Sequence, residues 1–485
     1  MAAATPWMSL FALQKEERRT LREQVCAAIR QALLSGHLKQ HERLPSSRQL
    51  AIDLGVSRVT VEGAYGQLEA EGYLRRQVGG GTFVAFAAAW KTRPAAKRAA
   101  IRPARLSLRG QGIVAGGGCH DARVLRAFAG AAPDLAAFPL ETWHKLGNRL
   151  MRRCGRDLLG FGDPQGFAPL REAVAHYLNQ SRGVRCGAEQ VLILTSSQQA
   201  LTLMASLLTD EGDPVWIEDP CYEGARTAFA SAGAKLVPVP VDGEGMNVER
   251  AAAGPAPRLI YLTPSHQYPT GASLSLARRM ALLELARERS SWIVEDDYDS
   301  EYHYDGRPLP SLQGLDRHER VLYVGTFSKV LFPALRLAYL VLPPGLIDAF
   351  TLARTVQDGH TTQWTQAVTA AFIEEGHFAA HLRQMRELYH SRRDLLREEL
   401  HKRTRGWLDI LPTAGGLKMA VHLPPGKEDI YTRRAAQLGI ATPGLSKLYL
   451  GPVRDGWLLG FSALDNAAIR HGVLQLARVA EMKGR

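Results

Sequence analysis

No stretch of the 485 residues approaches the roughly 18 uninterrupted apolar residues of a membrane-crossing helix, so a membrane span is not expected. The start, Met1-Ala2-Ala3-Ala4-Thr5-Pro6-Trp7, has no basic segment ahead of an apolar core, and Lys15-Glu16-Glu17-Arg18 follows, which excludes a secretory signal from the expectation. Cysteine is scarce: Cys26, Cys119, Cys154, Cys186 and Cys221 are scattered, odd in number and form no C-x-x-C pair. That argues against a disulfide framework and for free thiols in a reducing cytoplasm. Acidic residues are short mainly at one end. Residues 1–105 hold 17 Lys/Arg against 8 Asp/Glu, whereas the other 380 residues are close to balanced, within a total of +12. A polyanion is the natural partner for that first segment. With 46% hydrophobic residues over this length, the chain has enough apolar side chains for more than one domain.

In the basic segment, Leu21, Val25, Ala28, Ile29, Ala32 and Leu33 form one helical stripe that Gly36 stops. Ser46 or Ser47 caps a short second helix ending at Gly55, and Ser57 caps a third running from Arg58 to about Ala70. Helix, tight glycine turn, helix is the arrangement that lays the start of the last helix in the DNA major groove. Ser57, Arg58 and Thr60 lie at that start, with side chains suited to phosphates and base edges. Two short strand patterns flank Gly79-Gly80-Gly81 and read as a basic hairpin, or wing. Over about residues 20–85 the pattern R-L-P-S-S-R, L-G-V-S-R-V-T-V, E-G-Y-L and G-G-G-T-F-V resembles the GntR family of winged-helix regulators. The resemblance implies that Arg43, Ser47, Arg48, Ser57, Arg58, Thr60 and Gly80 contact double-stranded operator DNA. A winged domain is therefore expected over residues 14–85, followed by a flexible linker rich in Ala, Pro, Arg and Lys over 86–120, and a large body over 121–485.

The body alternates short apolar runs with helix-length segments, such as those at 198–208 and 276–287. Runs such as Val191-Leu192-Ile193-Leu194, Leu259-Ile260-Tyr261-Leu262 and Val321-Leu322-Tyr323-Val324 are apolar on both faces, which predicts a mainly parallel α/β sheet. Ligands of such sheets bind beyond the strand C-termini. There the sequence places Thr195-Ser196-Ser197-Gln198 opening a helix, Tyr222, then Thr263-Pro264-Ser265-His266-Gln267-Tyr268-Pro269-Thr270-Gly271. Glu295-Asp296-Asp297-Tyr298-Asp299 and Gly325-Thr326-Phe327-Ser328-Lys329 follow, with Arg336 seven positions further on. Hydroxyls at a helix start suit an anion, and clustered acids suit a cation. A strand-end lysine with hydroxyl neighbours and an arginine suits an aldehyde that also carries a phosphate, as pyridoxal 5'-phosphate (PLP) does.

This constellation resembles the fold-type I PLP enzymes of the aspartate aminotransferase superfamily over roughly residues 125–480. The resemblance implies that Lys329 forms the Schiff base with PLP and that Asp296, rather than Asp297, pairs with the pyridine nitrogen. It assigns Tyr298 to the phenolic oxygen and Tyr222 to stacking on the ring, and it gives Ser196, Ser197, Gln198, Thr326, Ser328 and Arg336 to the phosphate. A winged helix joined to such a body resembles the MocR/GabR-type regulators, which implies a head-to-tail, domain-swapped homodimer. Three positions depart from the enzymes: Tyr268 stands where they carry Asn, Phe161 where they carry Tyr, and Leu458 where an arginine clamps the substrate carboxylate. The expectation is a PLP-binding transcriptional regulator sensing PLP, with control of vitamin B6 synthesis, or an amine or amino acid. At most weak transamination is expected, with Arg454 as a substitute carboxylate ligand if its loop swings inward. The rival expectations are an active aminotransferase with a vestigial helix-turn-helix and a purely structural PLP.

Overall fold

The computed structural model describes residues 19–77, 79–86, 106–115, 127–130, 132–306, 309–404 and 406–482. The chain divides into two compact units, Met1–Arg105 and Leu106–Arg485.

The first unit is built on three helices, α1 (Leu21–Leu34), α2 (Ser47–Leu54) and α3 (Arg58–Ala70). Each begins on a side-chain cap: Thr20, Ser46 and Ser57 accept from the backbone N–H groups of Glu23, Gln49 and Thr60. The carboxylate of Glu23 accepts in return from Thr20 N, closing a capping box. Gly55 ends α2 in the left-handed conformation at φ +63°, the geometry that turns the chain into α3. Val25, Ile29, Leu33, Leu50, Val61, Tyr65 and Leu68 meet in one core, closed by Leu74 and Val84 from the hairpin. The hairpin strands β1 (Leu74–Gln77) and β2 (Gly81–Val84) are antiparallel, with Gln77 opposite Gly81 at the tip.

The second unit carries an eight-stranded sheet. Its strands are β3 (Val191–Leu194), β4 (Pro214–Asp219), β5 (Lys235–Asp242), β6 (Gly245–Met246), β7 (Leu259–Leu262), β8 (Trp292–Asp297), β9 (Val321–Thr326) and β10 (Ala338–Val341). Their spatial order is β3-β10-β9-β8-β7-β4-β5-β6. β9, β8, β7, β4 and β5 run parallel, while β10 lies antiparallel between β3 and β9, and β6 is an antiparallel edge. Helices cover both faces. Leu192, Val294, Leu322 and Val324 pack on the helix Ser197–Leu208 side, while Ile260, Ile293 and Val321 pack toward the helix Leu276–Glu288. A small antiparallel sheet of β11 (Asp409–Ile410), β12 (Lys418–His422) and β13 (Gly456–Gly460) follows the long helix His377–Thr404.

Within the segment 86–120, Leu108–Ala115 is an α-helix that belongs to the second unit. Residues 14–18, 87–105 and 116–126 lie outside the described residues.

Candidate functional site

Five strands end on one rim, and their trailing residues line a cavity of about 400 Å³. All ten residues assigned to a cofactor from the sequence line it: Ser196, Ser197, Gln198, Tyr222, Asp296, Tyr298, Thr326, Ser328, Lys329 and Arg336. The volume lies within the ~300–1,000 Å³ typical of small-molecule pockets.

At one side, Ser196 caps the helix Ser197–Leu208 by accepting from Gln199 N at 3.2 Å, leaving the N–H groups of the first turn toward the cavity rim. Across from it the backbone N–H of Ser328 donates to Thr326 Oγ1 at 3.2 Å, which folds the loop after β9 tightly ahead of Lys329. Arg336 is held at φ +53°, ψ +51°, a left-handed conformation unusual for a residue with a side chain. Strain of this kind is tolerated where the side chain must point to one place.

The acids separate by strand periodicity. Asp296 shares the face of Val294, and Asp297 shares that of Ile293. Asp297 is bound away from the cavity: Arg182 Nε donates to it at 3.0 Å, Ser300 Oγ at 2.7 Å, and the Tyr323 hydroxyl also donates. Burial opposes ionisation there, yet the Arg182 guanidinium and the two hydroxyls hold the Asp297 carboxyl below the usual carboxylate range. Asp296 accepts at Oδ2 from the Tyr261 hydroxyl at 2.8 Å, and its Oδ1 is buried with no hydrogen-bond partner among the described residues. Burial pushes this carboxyl up to about 7, with the neighbouring Asp297 and Asp299 adding to the effect. Burial likewise pushes Glu218, two strands away on β4, up to about 7, although it accepts from Thr263 N and Thr263 Oγ1. An orphaned buried oxygen on a carboxyl that resists ionising is a place for a cation or N–H donor. The Tyr298 phenol is held well above its ordinary value by burial, so it is a hydroxyl donor at neutral pH. Tyr222, Tyr268 and Tyr298 form an edge-to-face series with centroids 5.6 and 6.1 Å apart. The residues present therefore fit PLP, which needs a cationic-ring partner, a phosphate cradle and a lysine in one pocket.

Sequence reasoning missed Tyr261, Pro333 and Lys418 as lining residues, and it placed Thr263 and Tyr268 on the rim without giving either a cofactor role. Lys418 comes from β12, and its Nζ lies 4.5 Å from the centre of the Tyr268 ring. Arg454 lines a separate cavity with His422 and Tyr449 and not, in this conformation, the one that holds Lys329. Phe161 is fully exposed and packs edge-on to His360, also outside the Lys329 cavity. No helix among the described residues is long and apolar enough to cross a membrane.

In the first unit, the residues expected at DNA divide into two groups. Arg43, Arg48, Ser57 and Arg58 are exposed, whereas Ser47, Thr60 and Gly80 are partly covered. The Ser47 hydroxyl donates to Glu62, which also pairs with Arg58 at 3.7 Å and Arg76 at 3.4 Å. Ser57 Oγ and Thr60 Oγ1 lie 2.8 Å apart. Val59, 81% exposed beside them, is an apolar side chain that the polar motif gave no reason to single out.

Comparison with known proteins agrees with both halves. The family model for bacterial regulatory proteins of the gntR family matches residues 21–84, and that for aminotransferase class I and II matches residues 128–448. The probable rhizopine catabolism regulatory protein MocR of Rhizobium meliloti is 40% identical over 475 residues, covering 96% of this chain and 95% of its own. The chain belongs to the MocR-type regulators of the gntR family. As a MocR-type chain it joins a DNA-binding winged helix to an aminotransferase-like sensing body. By contrast, the 2-aminoadipate transaminase of Thermus thermophilus is 34% identical over 360 residues and covers 72% of this chain. The solved structure of LysN, an α-aminoadipate aminotransferase of T. thermophilus complexed with N-(5'-phosphopyridoxyl)-L-leucine, matches with a TM-score of 0.69. It is 31% identical and covers 77% of this chain and 95% of that one. Full-length similarity thus runs to a regulator, and similarity to these two enzymes covers only part of the chain.

Proposed function

We propose that this MocR-type protein is a PLP-dependent regulator in which cofactor held at Lys329 alters binding of the winged helix to operator DNA. The observation that carries the reading is the buried Oδ1 of Asp296, without a hydrogen-bond partner among the described residues, in the cavity that also holds Lys329, Arg336 and the Ser196–Ser197 helix start. Bound PLP supplies an aldehyde reactive toward primary amines, a phosphate and a protonable ring nitrogen. Lys329 offers the amine that captures the aldehyde. Asp296 keeps a proton on the ring nitrogen, which in turn stabilises its own ionised form. Tyr298 would offer its hydroxyl to the ring oxygen, and Tyr222 would offer an aromatic face to the ring. Arg336 would pair with the phosphate charge, and Ser196, Ser197, Gln198, Thr326 and Ser328 would offer it hydrogen-bond donors.

Arg43, Ser47, Arg48, Ser57, Arg58, Thr60 and Gly80 form the DNA-facing set in this reading, and the working species is a head-to-tail homodimer. Catalytic turnover is not required: a sensor needs only that PLP bind the two DNA-affinity states unequally. The test is chemical trapping. PLP-loaded protein reduced with borohydride is expected to carry a phosphopyridoxyl mass on the peptide containing Lys329, and Lys329→Ala is expected to carry none. A label on another lysine, or none on the native chain, would overturn the assignment.

A further inference from the structure

Three cationic side chains line the Lys329 cavity, and the proposed function uses two of them, Lys329 and Arg336. The third, Lys418, arrives from a different layer, the small antiparallel sheet rather than the rim of the large one. In that sheet Lys418 pairs with Gly460 and Ala420 with Leu458. Positions 418, 420, 458 and 460 therefore share one face, and Lys418 and Leu458 are diagonal neighbours, a separation of about 7–8 Å between such positions.

That face looks toward the cavity wall. Leu458 and Ala420 pack in an apolar cluster with Leu445 and Leu448, against which Tyr268 rests, and the Lys418 ammonium sits over the same Tyr268 ring. Leu458, where the resemblance to the enzymes implies a carboxylate-binding arginine, contributes only hydrocarbon to that cluster. The fold supplies a positive charge one diagonal step along the same face. Arg454, the other cation considered for that task, belongs to a different cavity.

We infer that Lys418 is the specificity-determining residue for the effector, binding the anionic group of a primary amine whose nitrogen is presented to the Lys329 end of the cavity. The inference rests on the reading of Lys329 as the cofactor lysine. Lysine carries a compact point charge on a flexible stem, whereas arginine offers a planar fork matched to a carboxylate. The site accordingly selects amines bearing an anion while tolerating carboxylate, sulfonate or phosphonate in that place. The Tyr268 ring holds the ammonium at the wall through its π face.

The test uses full-length PLP-loaded protein and two matched probe series, ω-amino acids of two to six carbons and the n-alkylamines of the same lengths. Dissociation constants are read from the change in PLP absorbance, and PLP loading is read in the same cuvette. The native chain is expected to bind its best ω-amino acid about 10- to 100-fold more tightly than the matching alkylamine, the range for a charge-assisted hydrogen bond. Lys418→Gln is expected to level the two series, and Lys418→Arg to retain the preference. Equal affinity for both series in the native chain, or a preference that survives in Lys418→Gln, overturns this inference while leaving PLP binding intact. Loss of PLP loading in Lys418→Gln would place Lys418 in the cofactor cradle and overturn it too. Failure of the native chain to load PLP would instead overturn the proposed function and this inference together.

Discussion

Asp296 is the residue on which the chemistry of the pocket turns. Burial raises its carboxyl from the ordinary range to about 7, so in the folded apo-protein it prefers to be protonated. A raised folded-state value means that the folded chain holds a proton the unfolded chain has lost between about pH 4 and 7. The stability contributed by this group is therefore complete below about pH 4 and disappears as pH rises through 7. Asparagine keeps the shape and never ionises. Thermal midpoints of the apo-protein should show Asp296→Asn gaining on the native chain from pH 5 to pH 8. PLP affinity at pH 8 should fall in the same variant, because the cationic ring loses its partner. A constant difference between the two apo midpoints across that range would refute the buried-acid account. Glu218, Glu295 and Glu301 are raised to about 7 by burial as well, so the comparison must be made against the variant rather than against an absolute slope.

Much of this was legible one residue at a time. The strand-end segments from Thr195, Glu295 and Gly325 each present their polar residues contiguously, so the period of two and the position after an apolar run suffice to aim them. The choice between Asp296 and Asp297 comes from the family resemblance alone, and the structure adds a physical reason in Arg182, 115 positions away in the chain, which binds Asp297. Lys418 was not legible in the same way. Its presence in the cavity depends on the pairing register of β12 with β13 and on where that sheet docks, and neither is encoded near residue 418.

Among the elements, the turn between α2 and α3 fixes how the recognition helix leaves its neighbour. Gly55 sits at φ +63°, where a β-carbon costs roughly 1–2 kcal/mol. Nothing lies within 4 Å of a β-carbon built there, so the cost of a substitution is backbone strain rather than collision. Gly55→Val should lower the unfolding free energy of the winged domain by about that amount or somewhat more, and operator binding should weaken with it. Chemical denaturation followed at Tyr65 and Tyr73 fluorescence checks the first effect, and a midpoint unchanged from native would contradict it. The helix boundaries of this domain were readable because caps and glycine stops are local signals: Thr20, Ser46, Ser57 and Gly55 mark them in the sequence. Strand direction is not a local signal. β10 reads as one more apolar run, yet it lies antiparallel between β3 and β9, because its direction is set by the short return from the Lys329 loop through Pro333–Leu335. The helix Leu108–Ala115 was likewise hidden inside a stretch whose composition reads as a linker, with Gly110 and Gly112 in its own sequence.

For the whole molecule, the two units carry unlike charge. Most of the +12 lies in the first 105 residues, and the body is nearly neutral, as suits a DNA-binding module joined to a small-molecule module. Similarity to MocR spans both units, so the coupling between them is the property that the account must explain. The decisive measurement is fluorescence anisotropy of the DNA immediately upstream of the protein's own gene, titrated at fixed salt with apo-protein, PLP-loaded protein and Lys329→Ala in the presence of PLP. The account predicts that PLP changes the operator Kd by about 5- to 150-fold, the usual span of coupling between two sites, and that Lys329→Ala behaves as apo-protein whether or not PLP is present. Identical affinities for apo- and PLP-loaded native protein, or a PLP effect that persists without Lys329, would contradict it.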